Sequence, residues 1–179
     1  MSTENPKERA TFLAQADGTL TLNQAGIELQ SRYRRVEAEH DALEASWAGA
    51  FLARLFAQFA WLDAVTLSFA VSAEYDDSGG YFRSISCQIR SARAVPQHAP
   101  PEELLTEGNF DPDATEQIIE AEIEDSAFDL YTCLSETPSG YDDLDLTLER
   151  KPIAELLCAS PIDGHAAFRA WGLGQAAAR

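Results

Sequence analysis

The chain has 179 residues, is 45% hydrophobic and carries a formal net charge of −17. That hydrophobic fraction is enough to fill a core, so the composition excludes an intrinsically disordered protein despite the charge. The excess of acids argues against direct nucleic-acid binding, because a phosphate-binding surface needs clustered Lys and Arg.

The negative charge is concentrated in one part of the chain. Net charge is −3 over residues 1–93, −16 over residues 94–149 and +2 over residues 150–179. The middle segment, here named the acidic block, contains 16 Asp or Glu residues and no Lys or Arg. Charge asymmetry of this kind bears on partners and solubility and does not determine a fold.

The N-terminal third predicts a flexible tail over residues 1–15, a turn at Asp17-Gly18 and then a long helix. From about Asn23 to Leu62, apolar residues recur at the spacings of three and four that are typical of an amphipathic helix. The stripe consists of Ile27, Tyr33, Val36, His40, Leu43, Trp47, Phe51, Leu55 and Phe59. So long a helix is expected to break, and Gly49 is the expected position.

The second half of this helix, residues 47–62, is apolar on almost every side. Such a helix is either buried within its own fold or shared with a partner. Core packing is the preferred interpretation, and a homodimer through Trp47, Phe51 and Phe59 is the alternative.

Two β-hairpins are predicted downstream. Apolar and polar residues alternate on both sides of the turn 76–80, which predicts a hairpin at about 64–91 with one buried face. Segments 127–135 and 144–149 alternate in the same way, which predicts a second hairpin at about 127–150. The sequence therefore predicts a single α+β domain over residues 16–179, with the long helix packed on an antiparallel sheet and short C-terminal helices at 152–159 and 163–173.

A helix is predicted between the hairpins, over residues 113–125. Asp113 is placed as its N-cap, and Glu116 follows three residues later, as in a capping box. The alternation of Ile119, Ala121 and Ile123 leaves a strand as the alternative for residues 116–124.

No catalytic or cofactor-binding motif is present. The chain lacks the nucleophile elbow of hydrolases, the P-loop and the dinucleotide fingerprint. The three histidines, His40, His98 and His165, do not have the spacing of a zinc site, and His40 lies on the predicted core stripe. We therefore expect no cofactor and no catalytic residue.

Cysteine usage and the N-terminus indicate a cytoplasmic protein. Cys87, Cys133 and Cys158 are widely spaced and form no C-x-x-C pair, which is typical of free buried thiols in a reducing compartment. The first ten residues do not form a signal peptide, and Arg54 and Gln58 interrupt the most apolar segment, so no membrane span is expected.

One set of residues has the spacing of positions 1, 3, 5 and 12 of an EF-hand loop: Asn109, Asp111, Asp113 and Glu120. Ala114 stands where the loop needs Gly for its sharp turn, and Pro112 interrupts it. Capping of a helix by Asp113 accounts for the same residues more simply than a calcium site does.

The acidic block predicts two rows of carboxylates, one on the helix and one on the last strand: Glu116, Glu120 and Glu124, and Asp143, Asp145 and Glu149. Steps along the helix row, and from Asp143 to Asp145, are about 6–7 Å, roughly twice the phosphate spacing along one DNA strand, and Thr147 stands between Asp145 and Glu149. These rows predict a non-enzymatic inhibitor that antagonises a basic protein, such as a nuclease, a toxin or a defence complex, by DNA mimicry or occlusion. The alternatives are an enzyme or metal-binding protein with an unrecognised site, and a domain whose acidic face only keeps it soluble.

Overall fold

The computed structural model describes residues 9–95, 101–106, 109–137 and 139–173. The chain divides into two compact units, Met1–Ala42 and Leu43–Arg179. The boundary lies within the long helix. The described chain is a mixed α+β structure with a long N-terminal helix, antiparallel sheet and short C-terminal helices, so the predicted fold class is confirmed.

The elements lie along the chain in this order: β1 (Phe12–Ala14), β2 (Leu20–Leu22), α1 (Gln24–Gln58), β3 (Leu62–Tyr75), β4 (Tyr81–Ala94), β5 (Leu105–Thr106), β6 (Asn109–Phe110), α2 (Pro112–Ile123), α3 (Ala127–Leu134), β7 (Leu144–Glu149) and α4 (Gly164–Ala170). Short 3₁₀ turns at Glu102–Leu104, Glu124–Ser126, Lys151–Ile153 and Leu156–Cys158 join some of them. The helix predicted at 152–159 is therefore two 3₁₀ turns, whereas the one predicted at 163–173 is α4. Among the described residues, no helix combines the length and the hydropathy that a membrane span requires.

The first unit contains a small hairpin and the N-terminal part of α1. β1 pairs antiparallel with β2 across the predicted turn, where Asp17 Oδ1 accepts hydrogen bonds from the backbone N–H and the hydroxyl of Thr19. Residues 12–14 thus form a strand inside the segment predicted as a tail, because this turn brings two short apolar segments together. Residues 1–8 of that segment lie outside the described residues.

Helix α1 begins where the sequence predicted. The side chain of Asn23 caps it, with Oδ1 accepting a hydrogen bond from the backbone N–H of Gly26 at 2.9 Å. Every residue from Ile27 to Ala42 is exposed, including Tyr33 and Val36 of the predicted core stripe. His40 is also exposed, so the expected core position of this histidine is wrong.

The predicted break at Gly49 is wrong, because α1 is continuous from Gln24 to Gln58. A methyl group on Gly49 would overlap the carbonyl oxygen of Gly164, the first residue of α4. One on Gly164 would overlap the carbonyl oxygen of Ser46 in the same way. Gly49 therefore allows α1 and α4 to pack closely and does not mark a bend in α1.

The second unit is built around a three-stranded antiparallel sheet with the order β4-β3-β7. β3 and β4 form the hairpin predicted at 64–91, with Phe69 opposite Cys87. β7 pairs with the other edge of β3, with Leu67 opposite Leu146. The hydrophobic core lies on one face of this sheet, where the second half of α1 packs together with α2 and α3.

Residues 127–135, predicted as the partner strand of β7, form helix α3 instead. The buried residues Ile119, Ile123, Ala127 and Leu130 recur at spacings of four and three and continue one helical face from α2 into α3. Phe128, expected on the buried face of a strand, is 50% exposed. A strand would bury Phe128 and Leu130 together, whereas the helix buries Leu130 beside Tyr131.

The apolar half of α1 is part of the core of the second unit. Leu52, Leu55 and Phe56 are fully buried, and Phe59 is 9% exposed. Of the three proposed dimer contacts, Phe59 is buried, Phe51 is half-buried and Trp47 is 37% exposed. Core packing, the preferred interpretation of this segment, therefore accounts for it.

Helix α2 confirms the predicted helix and settles the alternative of a strand, but its N-cap is Asp111 and not Asp113. Asp111 Oδ1 accepts hydrogen bonds from the backbone N–H groups of Asp113 at 3.0 Å and Ala114 at 3.2 Å. Pro112 occupies the first turn, where a missing N–H has no cost. The sequence pattern placed the N-cap two residues too far toward the C-terminus.

Replacing Asp111 by Ala is expected to lower the free energy of unfolding by about 1–2 kcal/mol, because it removes the side-chain acceptor of the first helical turn. Asp113→Ala is the matched control and should change the stability by less than about 0.5 kcal/mol, since its side chain is exposed. Urea unfolding followed by circular dichroism measures both. Equal losses in the two variants would contradict the assignment of the cap.

Candidate acidic binding site

The carboxylates of strand β7 are paired with arginines of β4. Leu148 is buried, so the alternation of the strand places Asp145 and Glu149 on the opposite, solvent-facing side of the sheet. Arg90 Nε lies 3.4 Å from Asp145 Oδ1, and Arg93 Nη2 lies 3.6 Å from Glu149 Oε1. This predicted row is therefore largely neutralised by its own sheet.

The same side of the sheet holds a further ion pair. Arg93 Nε donates to Asp63 Oδ2 at 2.7 Å, and this hydrogen bond, with the charge of Asp63, raises the pKa of Arg93. Thr66 and Thr147 form a hydroxyl hydrogen bond between the ion pairs. The bases of β4 thus face acids on β3 and β7, and the attraction within each pair is worth little individually because the pairs are exposed.

Asp143 has a structural role at the end of the sheet. Its Oδ1 accepts a hydrogen bond from the backbone N–H of Val71 at 3.0 Å, just beyond the last residue pair of β3 and β7. The carboxylate thereby satisfies a backbone donor that the short strand β7 leaves unpaired. Of the predicted strand row, all three carboxylates accordingly have partners within the chain.

The predicted helical row does not form one exposed stripe. Glu120 is half-buried near Cys87 on the core side of the sheet, and Glu124 is exposed. The side chain of Glu116 lies outside the described residues. Since the core side and the β7 carboxylates are on opposite faces of the sheet, the structure does not bring the two predicted rows together.

An exposed group of acids does occur where α2 passes into α3. The buried residues Ile123 and Ala127 turn one side of this segment inward, which leaves Glu124, Asp125 and Asp129 on the solvent side. We name these three residues the acidic turn. In the part of the chain that the structure describes, no ion pair involves any of them.

A neighbouring acid, Glu122, links α2 to α1. Glu122 accepts hydrogen bonds from Arg54 Nη2 at 3.1 Å and from Gln58 Nε2 at 2.9 Å. The two polar residues that interrupt the apolar half of α1 thus face α2. Helical periodicity over residues 119–130 places Glu122 on a different side of the segment from the acidic turn. The same periodicity could have identified Asp125 and Asp129 as exposed acids, but the prediction of a strand at 127–135 obscured it.

The EF-hand spacing is not realised as a loop. Helix α2 begins at position 4 of the proposed loop, so Glu120 lies eight residues into a helix, about 12 Å along its axis from Pro112. Asp111 Oδ1 is occupied by the backbone N–H groups that it caps. The side chain of Asn109 lies outside the described residues. The structure does not bring Asp111 and Glu120 together.

The cysteines are free thiols, as predicted. Burial, with a smaller contribution from the charge of Glu120, raises the pKa of Cys87 to about 12. Burial also raises the pKa of Cys133 to about 11, together with the charges of Glu44 and Asp129. Both thiols are protonated at neutral pH and are therefore poor nucleophiles. Cys158 is exposed, so the prediction that it is buried is wrong.

His165 is exposed in the first turn of α4, and His98 lies outside the described residues. Searches of protein-family models, curated proteins and solved structures found no match.

Proposed function

We propose that this chain is a non-enzymatic acidic protein that binds a basic partner in the cytoplasm and occludes its positively charged surface. The observation that carries the proposal is the acidic turn, in which Glu124, Asp125 and Asp129 are exposed and have no ion pair among the described residues. It lies in the middle of a 56-residue block that has no Lys or Arg. Partners of the proposed class are nucleic-acid-binding proteins, nucleases, toxins and defence complexes.

The distribution of ion pairs supports a contact through the acidic turn rather than through β7. Asp145 and Glu149 already face Arg90 and Arg93, so a basic partner gains less by approaching them. None of the three carboxylates of the acidic turn has an ion pair among the described residues, although the Arg83 guanidinium lies 5.2 Å from the centroid of the Phe128 ring. An incoming cation therefore meets less internal competition at the acidic turn than on β7. The proposed contact therefore involves fewer carboxylates than the six predicted from the sequence.

Occlusion is favoured over mimicry of a DNA strand. Mimicry needs an extended row of charges at regular steps, whereas Glu120 lies on the core side of the sheet and Asp145 and Glu149 lie on the other side. Occlusion needs only a local group of acids that enters a basic groove and raises the on-rate by electrostatic attraction. Three carboxylates within six residues of a helical segment meet that requirement.

Salt-dependent capture tests the proposal. Immobilised protein is incubated with native host lysate and washed at about 0.1 M and then at about 1 M salt, where charges are screened within about 3 Å. We expect a basic protein to be retained at the lower salt and released at the higher salt. Recovery of no basic partner at about 0.1 M salt would contradict the proposal and favour a surface that is only solubilising.

A further inference from the structure

The exposed part of α1 carries an apolar stripe that the first unit leaves uncovered. Leu29 is 48% exposed, Tyr33 65% and Val36 54%. With His40, these residues recur at spacings of four, three and four, which is the spacing of the residues in a coiled-coil seam. A helix exposed on all sides gains little stability from its own unit, because most helical stability in proteins comes from packing an apolar face.

We propose that this stripe pairs with the same stripe of a second copy of the chain, as a short antiparallel coiled coil. In heptad terms, Tyr33 and His40 occupy a positions and Leu29 and Val36 occupy d positions. Antiparallel pairing sets Tyr33 of one copy against Val36 of the other, and Leu29 against His40. A two-fold axis then repeats each contact.

Charges beside the seam favour this partner and this orientation. Arg32 and Glu39 occupy g positions, which face each other in an antiparallel pair, so the two-fold axis creates two Arg32–Glu39 contacts between the copies. Glu39 Oε1 already lies 3.7 Å from Arg35 Nε on its own helix, in an exposed pair of small energy that Arg32 of the second copy joins. A parallel pair instead places Glu39 of one copy beside Glu44 of the other and stacks His40 on His40. The self-complementary charge pattern identifies a second copy as the occupant of the stripe.

Sedimentation of the full chain tests this arrangement. The monomer has a mass of 19.6 kDa, and we expect a twofold larger mass as the concentration rises to about 100 µM. Val36→Asp places a charge in the seam and should abolish the increase. A chain that remains monomeric at about 100 µM would overturn the proposal and leave the stripe to a different protein.

Charge exchange tests the orientation. Arg32→Glu and Glu39→Arg should each weaken the dimer about tenfold, and the double variant should restore it, because it exchanges the two sides of the same contact. Restoration is not expected in a parallel dimer, where Arg32 faces Glu37. Arg34→Glu, on the outer side of the helix, is the matched control and should leave the dimer unchanged. Failure of the double variant to recover, with its helix content intact by circular dichroism, would contradict antiparallel pairing.

Discussion

Replacing Arg150 by Ala is expected to lower the free energy of unfolding by about 2–4 kcal/mol, which would be among the largest effects of any single surface-accessible side chain. Arg150 donates from Nε to the carbonyl oxygen of Leu62 at 2.6 Å. Its Nη2 donates to the carbonyl oxygens of Phe56 at 2.6 Å and Phe59 at 2.9 Å. The carbonyls of Phe56 and Phe59 lie at and just beyond the C-terminal end of α1, where the helix itself provides no donors, and that of Leu62 belongs to the first residue of β3.

The position of this guanidinium explains the size of the effect. Its planar group also lies 5.7 Å from the centroid of the Phe56 ring. Burial lowers the pKa of Arg150, and the charge of Asp63 partly offsets that shift. A cation at a helix C-terminus is favoured by the helix dipole, and truncation leaves several carbonyls without their charged donor.

A conservative variant separates the contribution of the planar guanidinium from that of its positive charge, and a second arginine variant is the control. Arg150→Lys keeps the charge but cannot donate in three directions from a planar group, so about half of the stability loss should remain. Arg169→Ala removes an exposed arginine from α4 and should cost less than about 0.5 kcal/mol. Urea denaturation gives all three values, and a wild-type stability for Arg150→Ala would show that the helix end is satisfied in another way.

Gly49→Ala is expected to cause the second large change in the free energy of unfolding. The expected change is a loss, whereas helix propensity alone predicts a gain. Alanine in place of glycine normally stabilises a helix interior by about 1 kcal/mol. Here the added methyl group would overlap the carbonyl oxygen of Gly164, so we expect a loss of about 2–4 kcal/mol in the free energy of unfolding.

The reciprocal contact supplies the control for this effect. Gly164→Ala should cause a similar loss, because its methyl group would overlap the carbonyl oxygen of Ser46. The double variant should lose less than the sum of the two, since the first substitution already separates α1 from α4. Thermal and urea unfolding measure these changes. A more stable Gly49→Ala variant would contradict the close contact between the helices.

Elements whose periodicity is unambiguous were predictable from the sequence. The β3–β4 hairpin and the start of α1 both follow from apolar spacing and turn residues. Residues 127–135 satisfy a strand and a helix equally well over so short a length. The packing of Leu130 and Tyr131 into the core decides between them, and that packing depends on β3, far away in the sequence.

The candidate site was predictable in charge but not in geometry. The absence of Lys and Arg from the acidic block is visible in the sequence, whereas the pairing of Asp145 with Arg90 spans 55 positions and two strands. Strand order had to be known before the β7 row could be recognised as neutralised. Helical periodicity marks the acidic turn in the sequence, but the prediction of a strand at 127–135, where the structure has α3, obscured it.

A comparison of two variants with equal charge change tests the proposed function most directly. One variant combines Glu124→Gln with Asp129→Asn in the acidic turn, and the other combines Asp145→Asn with Glu149→Gln on β7. After melting temperatures confirm that both are folded, the Kd for the captured basic partner is measured at about 0.1 M salt. We expect the first variant to raise the Kd at least about tenfold and the second to raise it less than about threefold. Equal effects, or a larger effect from the β7 variant, would contradict binding through the acidic turn.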